Sequence, residues 1–254
     1  MASNDTFSFG AGVLWATQLT DYTGAAVALP TPLMLGTLQD VSIDISYDSK
    51  PLHGQNAFAV ANARGKGKVS GKAKFARLDG LLFQSVISGM PITSGIASVV
   101  YDTTGAAIPS TPYTITPTVP GSGTFGRVLA VRDGIGNEYT QVASGPTTGQ
   151  YSLSAGVFTF AAADTGKTVY IDYAYTATST SAKKALVTNQ PMGYAPTFRA
   201  DFLNPRSGMS LVLFACMANK FAYATKIDDW AINELDFEAF ADSNQQVYQF
   251  GTIA

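Results

Sequence analysis

"VSIDISYD" (residues 41–48) and "ARGKGKVSGKAKFAR" (residues 63–77) are the two stretches on which the fold turns. In the first, Val41, Ile43, Ile45 and Tyr47 fall on one side and Ser42, Asp44, Ser46 and Asp48 on the other. That period of two is what a half-buried antiparallel strand imposes. In the second, Lys66, Lys68, Ser70, Lys72 and Lys74 share one face, and Val69, Ala73 and Phe75 share the opposite one. The densest basic run of the chain, six of its sixteen Lys and Arg with no acid among them, therefore reads as a strand face and not as a loop.

This distinction excludes the usual phosphate cradles. A P-loop needs four residues between its glycines, then Lys and Ser/Thr, so that backbone N–H groups wrap the phosphates. Gly67 and Gly71 enclose three, and Lys72 is followed by Ala73, which cannot ligate magnesium. The dinucleotide fingerprint fails as well, because Gly65-x-Gly67-x-x ends on Ser70. Nucleic-acid binding by a lysine face is physically possible, but that face has no stacking aromatic, since Phe75 points the other way. A solvated basic edge that discourages aggregation is the plainer reading. A third rests on the far end of the chain, where Glu234, Asp236 and Glu238 alternate on one strand face, flanked by Asp228, Asp229 and Asp242. Basic and acidic strands in one protein invite pairing, within or between subunits, and Lys66, Lys68, Lys72, Lys74, Glu234, Asp236 and Glu238 form the candidate subunit interface.

Composition favours an assembly component. The 254 residues carry a net charge of −2, and 13% are charged, about half the usual share. A surface so poor in charge is more easily buried against partners than kept soluble alone. There is one cysteine, Cys216, and one histidine, His53, so no intrachain disulfide or Cys/His zinc site is expected. Cys216, in the apolar "MSLVLFACMA" (209–218), reads as a small core residue, and His53 as a turn residue without a nucleophile beside it. Alternating carboxylates on a strand are more often its polar face than a glycosidase pair or a calcium site. No enzyme activity, metal or cofactor is expected. The opening "MASNDTFSFG" reads as a polar arm without the regions of a signal peptide, and no apolar run approaches the ~20 residues of a membrane helix.

Three zones separate along the chain. Residues 1–92 hold strands at 12–19, 41–48 and 66–75, then one helix at 76–89, with Leu78, Leu81, Leu82 and Val86 at helical spacing and a Gly89/Pro91 stop. Residues 93–187 are rich in Thr, Ser, Gly and Pro, with short strands at 113–119, 126–133, 139–143, 150–161 and 168–177, the pattern of a β-sandwich. Residues 188–254 return to longer strands, a hairpin about "NPRSG" and the acidic strand at 230–241. The fold class expected is mainly β: an antiparallel sandwich or partial barrel with one flanking helix (1–92 and 188–254), interrupted by an inserted Ig-like domain (93–187).

The segment "GTLQDVSIDISYDSKPLHGQNAFAVANARGKGKVSGKAKFARLDGLLFQSVISG" (36–89) and the closing "FAYATKIDDWAINELDFEAFAD" (221–242) resemble the tail tube (major tail) proteins of tailed bacteriophages. The resemblance covers roughly 1–90 and 190–254, and rests on the order strand, basic hairpin, strand, helix, with a closing acidic strand. It implies a non-enzymatic virion protein, made in the host cytoplasm, whose hexameric rings join their inner sheets and stack into the conduit for genome ejection. Its partners would be itself and other tail proteins (sheath, tape measure, baseplate, terminator). DNA would pass the lumen without specific binding, and no membrane would be involved. The middle zone is similar to the Ig-like domains appended to phage structural proteins. A second reading is a capsid-decoration or tail-surface binding protein whose middle domain contacts host glycans or other virion proteins.

Overall fold

The computed structural model describes residues 10–77 and 80–252. The chain is mainly β and its sheets are almost wholly antiparallel. In order come β1 (Val13–Gln18), β2 (Pro32–Met34), β3 (Leu38–His53) and β4 (Ala59–Phe75), followed by a short helical segment. Next are β5 (Ile92–Ser94), β6 (Ile96–Val100), β7 (Ala106–Ala107), β8 (Thr114–Ile115), β9 (Thr124–Asp133), β10 (Thr140–Val142), β11 (Gln150–Ser154), β12 (Val157–Phe160), β13 (Thr168–Ala177) and β14 (Lys183–Ala185). The chain closes with β15 (Thr197–Asn204), β16 (Met209–Ala222), β17 (Asn233–Phe240) and β18 (Tyr248–Thr252). It divides into two compact units, residues 1–91 with 185–254, and residues 92–184.

The first unit is one eight-stranded sheet in the order β2-β1-β15-β16-β17-β4-β3. Strand β16 is long enough to pair twice along one edge, with β18 over Met209–Leu213 and with β17 over Ala215–Ala222. Its alternating residues fill a single core: Leu14, Val69, Ala73, Phe75, Phe198, Leu213, Leu235 and Phe237 are buried there. The hairpin at 204–209 is set by "NPRSG": the Asn204 side chain accepts the N–H of Arg206, and Gly208 takes φ 65° and donates to the Asn204 carbonyl.

The single helix expected at 76–89 is shorter and differently wound. One α turn, Gly80–Leu82, runs into a π-helix, Phe83–Ser88, which ends where the Gly89 N–H donates to the Gln84 carbonyl at 2.6 Å. Bonding across five residues shifts the stripe that faces the sheet. Leu82 and Val86 are buried, whereas Leu81 is turned outward and 45% exposed; Leu78 lies outside the described residues.

The second unit packs two sheets, β10-β11-β12-β8 and a sheet in which β13 pairs with β6 and β7 on one edge and β9 on the other. Between them lie Val131, Tyr151, Phe158, Phe160, Val169, Ile171 and Tyr173. The stretch read as one strand over 150–161 is a hairpin. Ala155 and Gly156 both take positive φ, the two-residue turn that suits the twist of β11 and β12. Arg132 fastens β9 to β13, donating to Asp172 at 3.3 Å and to the Asp102 carbonyl at 2.9 Å, with its guanidinium over the rings of Tyr101 and Tyr170.

Candidate assembly surface

Register decides the fate of the basic run. Strand β4 lies between β3 and β17, so Lys72 faces Asp236 on one side and Ser42 on the other, while Lys74 faces Glu234 and Asp40. On the far side of β17, Asp236 faces Lys220 of β16. Four strands therefore present one charged face, with Val69, Ala73, Phe75, Leu235 and Phe237 in the core behind it.

The ion pairs run across and along this face. Lys72 and Lys220 each place Nζ 2.8 Å from the same Glu234 oxygen. Asp236 stands between the same two ammonium groups at 3.9 and 3.8 Å, beyond hydrogen-bond reach. Lys68 reaches Glu238 at 2.8 Å, and Lys74 turns to Asp40 at 3.6 Å. Hydrogen bonds from Lys220 and then Lys72 hold the Glu234 carboxyl down at about 2. The same carboxylate raises the pKa of Lys220.

Of the seven candidate residues, six thus join a ladder within one chain: Lys68, Lys72, Glu234, Asp236 and Glu238 pair among themselves, and Lys74 pairs elsewhere. Lys66 lies beyond it, on the exposed part of β4. Two members, Lys220 and Asp40, are not among those candidates. Asp40 opens the alternating stretch 40–48 on its polar side, but the position of Lys220 opposite Asp236 follows from the β16–β17 register and a bulge there. Five carboxylates (Asp40, Asp44, Glu234, Asp236, Glu238) offset four ammonium groups (Lys68, Lys72, Lys74, Lys220). Such a face lacks the uncompensated positive charge by which phosphates are gripped.

Unpartnered apolar surface lies elsewhere. Past Tyr47 and Gly67, β3 and β4 continue as a two-stranded ribbon from Ser49↔Arg64 to His53↔Ala59. At ~3.3 Å per residue the ribbon is about 15 Å long. It is exposed throughout and carries Leu52 and Val60, with Phe58, 87% exposed, in the loop at its tip. A two-stranded ribbon in water is marginal without something packed against it. In the same unit, Ile227 and Trp230 of the β16–β17 loop and Leu186 and Met192 of the segment before β15 are also largely exposed. Among the described residues, the outer edge of β3 pairs with no strand.

Among the described residues, no group of three or more His, Cys, Asp or Glu is placed to hold a metal ion. His53 sits on the exposed ribbon, and Cys216 is wholly buried, with burial pushing its thiol up to about 12. Among the described residues, no helix is long and apolar enough to cross a membrane. Compared with known proteins, the chain matches no family model and no curated protein.

Proposed function

We propose that this chain is a structural, non-enzymatic subunit that assembles with copies of itself into rings and stacked tubes, in the manner of a phage tail tube protein. The observation that carries this reading is the β3–β4 ribbon with its tip, which together expose Leu52, Val60 and Phe58 on an element too thin to be stable alone. Ribbon, loop anchors and the open β3 edge are different surfaces, and contacts between unlike surfaces propagate into rings or filaments and do not stop at a two-fold dimer. Hexameric rings, a DNA-conducting lumen, a place in the virion and contacts with other tail proteins belong to this proposal and rest on the resemblance of 36–89 and 221–242. The seven ladder and ribbon residues expected at a subunit interface remain part of it, with the ladder's charges met first inside each chain.

Electron microscopy of the purified protein tests the reading. Rings and tubes are expected from the parent. Phe58→Asp with Val60→Asp should give folded monomers, because neither side chain contributes to the core. Parent protein that stays monomeric at high concentration and in the presence of tail components would overturn it.

A second reading, a decoration or surface-binding protein acting through the inserted unit, is favoured by one feature. The β6–β13–β9 sheet leaves Val99 and Tyr101 exposed at 60% and 69% on its outer side. Binding of host glycans or virion proteins by the parent, lost in Tyr101→Ala with no tube formed by either, would favour it.

A further inference from the structure

An apolar groove of about 600 Å³ opens in the first unit, where β3, β15, β16 and β18 converge. Val41, Ile43, Ile45, Phe202, Leu211 and Phe250 form its wall, and Ile45 and Phe250 remain 39% and 58% exposed. Gly10, Ala11 and Met209 extend the apolar lining, and Gln39, Asp40 and Asn204 supply a polar rim. Asn204 is committed to its hairpin, where its side chain accepts the N–H of Arg206. Asp40 alone among the lining residues is charged, and its exposed carboxylate meets Lys74 only at 3.6 Å. A mostly apolar recess of this size with a few polar groups at its edge is the ordinary form of a binding site.

The same chain carries a projection that matches it. Residues 49–66, the ribbon and its flanks, contain Lys50, Arg64 and Lys66 and neither Asp nor Glu. Leu52 and Val60 on the ribbon and Phe58 at its tip are exposed large apolar side chains. An apolar, basic projection thus complements an apolar recess whose one charge is negative. The chain's own ribbon is not the one that fits. Val41, Ile43 and Ile45 sit on the very strand that continues into the ribbon, and Leu52 lies ~23 Å beyond Ile45 at ~3.3 Å per residue. Strand β3 would have to double back on itself to bring the two together.

We propose that this groove is the seat of the β3–β4 ribbon of a second copy, with Phe58, Leu52 and Val60 against the apolar wall and the ribbon's cations toward Asp40. The inference rests on the self-assembly proposed above and names the two surfaces that meet. Groove and ribbon are unlike surfaces, so two copies joined this way still leave one groove and one ribbon free. The contact therefore propagates from copy to copy.

Single-cysteine variants, mixed and oxidised, test it. The sole native cysteine, Cys216, is wholly buried and leaves a silent background. Ala57→Cys at the tip and Gln39→Cys on the rim keep both the apolar anchors and the wall intact. Mixed, they should form a disulfide-linked dimer severalfold faster than Ala57→Cys mixed with Val99→Cys, which lies in the inserted unit. The double variant Ala57→Cys/Gln39→Cys should give dimers, trimers and higher species without an intrachain disulfide. An added apolar dye should bind the dilute monomer and be released as assembly proceeds. Rings or tubes with cross-linking no faster than the Val99→Cys control would overturn the inference and leave the assembly reading standing. Neither assembly nor cross-link would overturn both. An intrachain disulfide in the double variant would give the groove to the chain's own ribbon and overturn the inference. Dye fluorescence of the monomer that rises severalfold on removal of residues 1–9 would give the groove to the chain's own beginning, with the same result.

Discussion

Gly71 is the position where a single methyl group tests the packing of the charged-face sheet. It lies on β4 between Ile43 and Phe237, and a Cβ built there would overlap Cε2 and Cζ of the Phe237 ring. That ring cannot swing aside: it is 1% exposed and meets Phe198 edge-on at 5.7 Å. Replacing Gly by Ala within a strand ordinarily gains about 0.5–1 kcal/mol, from the lower freedom of the unfolded chain. Overpacking a closed core costs about 1–3 kcal/mol. The second term wins, so Gly71→Ala should lose about 1–2 kcal/mol, or roughly 2–8 °C in Tm for a unit of this size. Gly67 is the internal control. A Cβ there meets the Tyr47 ring at 2.9 Å, but that ring is 43% exposed and can rotate toward solvent. Gly67→Ala should stay within about 0.5 kcal/mol of the parent. Both tryptophans, Trp15 and Trp230, belong to the first unit, so tryptophan fluorescence in a urea titration reads its unfolding selectively. Phe237→Leu should relieve part of the Gly71→Ala penalty, with a coupling of about 0.5–3 kcal/mol in the double-mutant cycle. Gly71→Ala as stable as the parent, or Gly67→Ala equally costly, would refute the reasoning.

The remaining predictions concern the ladder, the helix and the inserted unit. The folded pKa of Glu234 is depressed to about 2 from an ordinary 4.5, so its contribution is complete above pH 4.5 and is lost as pH falls toward 2; Glu234→Gln should flatten the acid side of a Tm-against-pH profile. Lys72→Glu would set a third carboxylate beside Glu234 and Asp236 and should lower the stability of the isolated subunit in thermal melts; unchanged monomer stability would mean the ladder contributes nothing within the chain. Leu82→Asp buries a charge and should cost several kcal/mol, while Leu81→Asp, at an exposed position, should be mild in the same urea titration. Residues 92–184, expressed alone, should melt cooperatively in calorimetry, because the unit encloses its own aromatic core.

Strand identity was legible in the sequence because alternation is a local property: Val41 and Ile43 mark the half-buried side of β3 whatever strand lies next to them, whereas Ile45 and Tyr47, on the same side, are exposed because nothing among the unit's described residues covers that end of the strand. The same holds for the burial of Cys216 within an apolar run, and for the antiparallel, mainly β class of the whole. Partner choice is not local. That Lys72 meets Glu234, some 160 positions away, was suggested by opposite charge, but Lys74 turning to Asp40 and Lys220 joining Glu234 depend on the register of three strand pairs and one bulge. Leu81 shows the limit of periodicity. A spacing of 3.6 predicts it buried, yet the hydrogen bonds of Phe83–Ser88 close across five residues and turn it to solvent. The apolar groove lined by Val41, Ile43, Phe202, Leu211 and Phe250 left no trace in the sequence, because its walls come from four strands far apart along the chain that only their pairing in one sheet brings together.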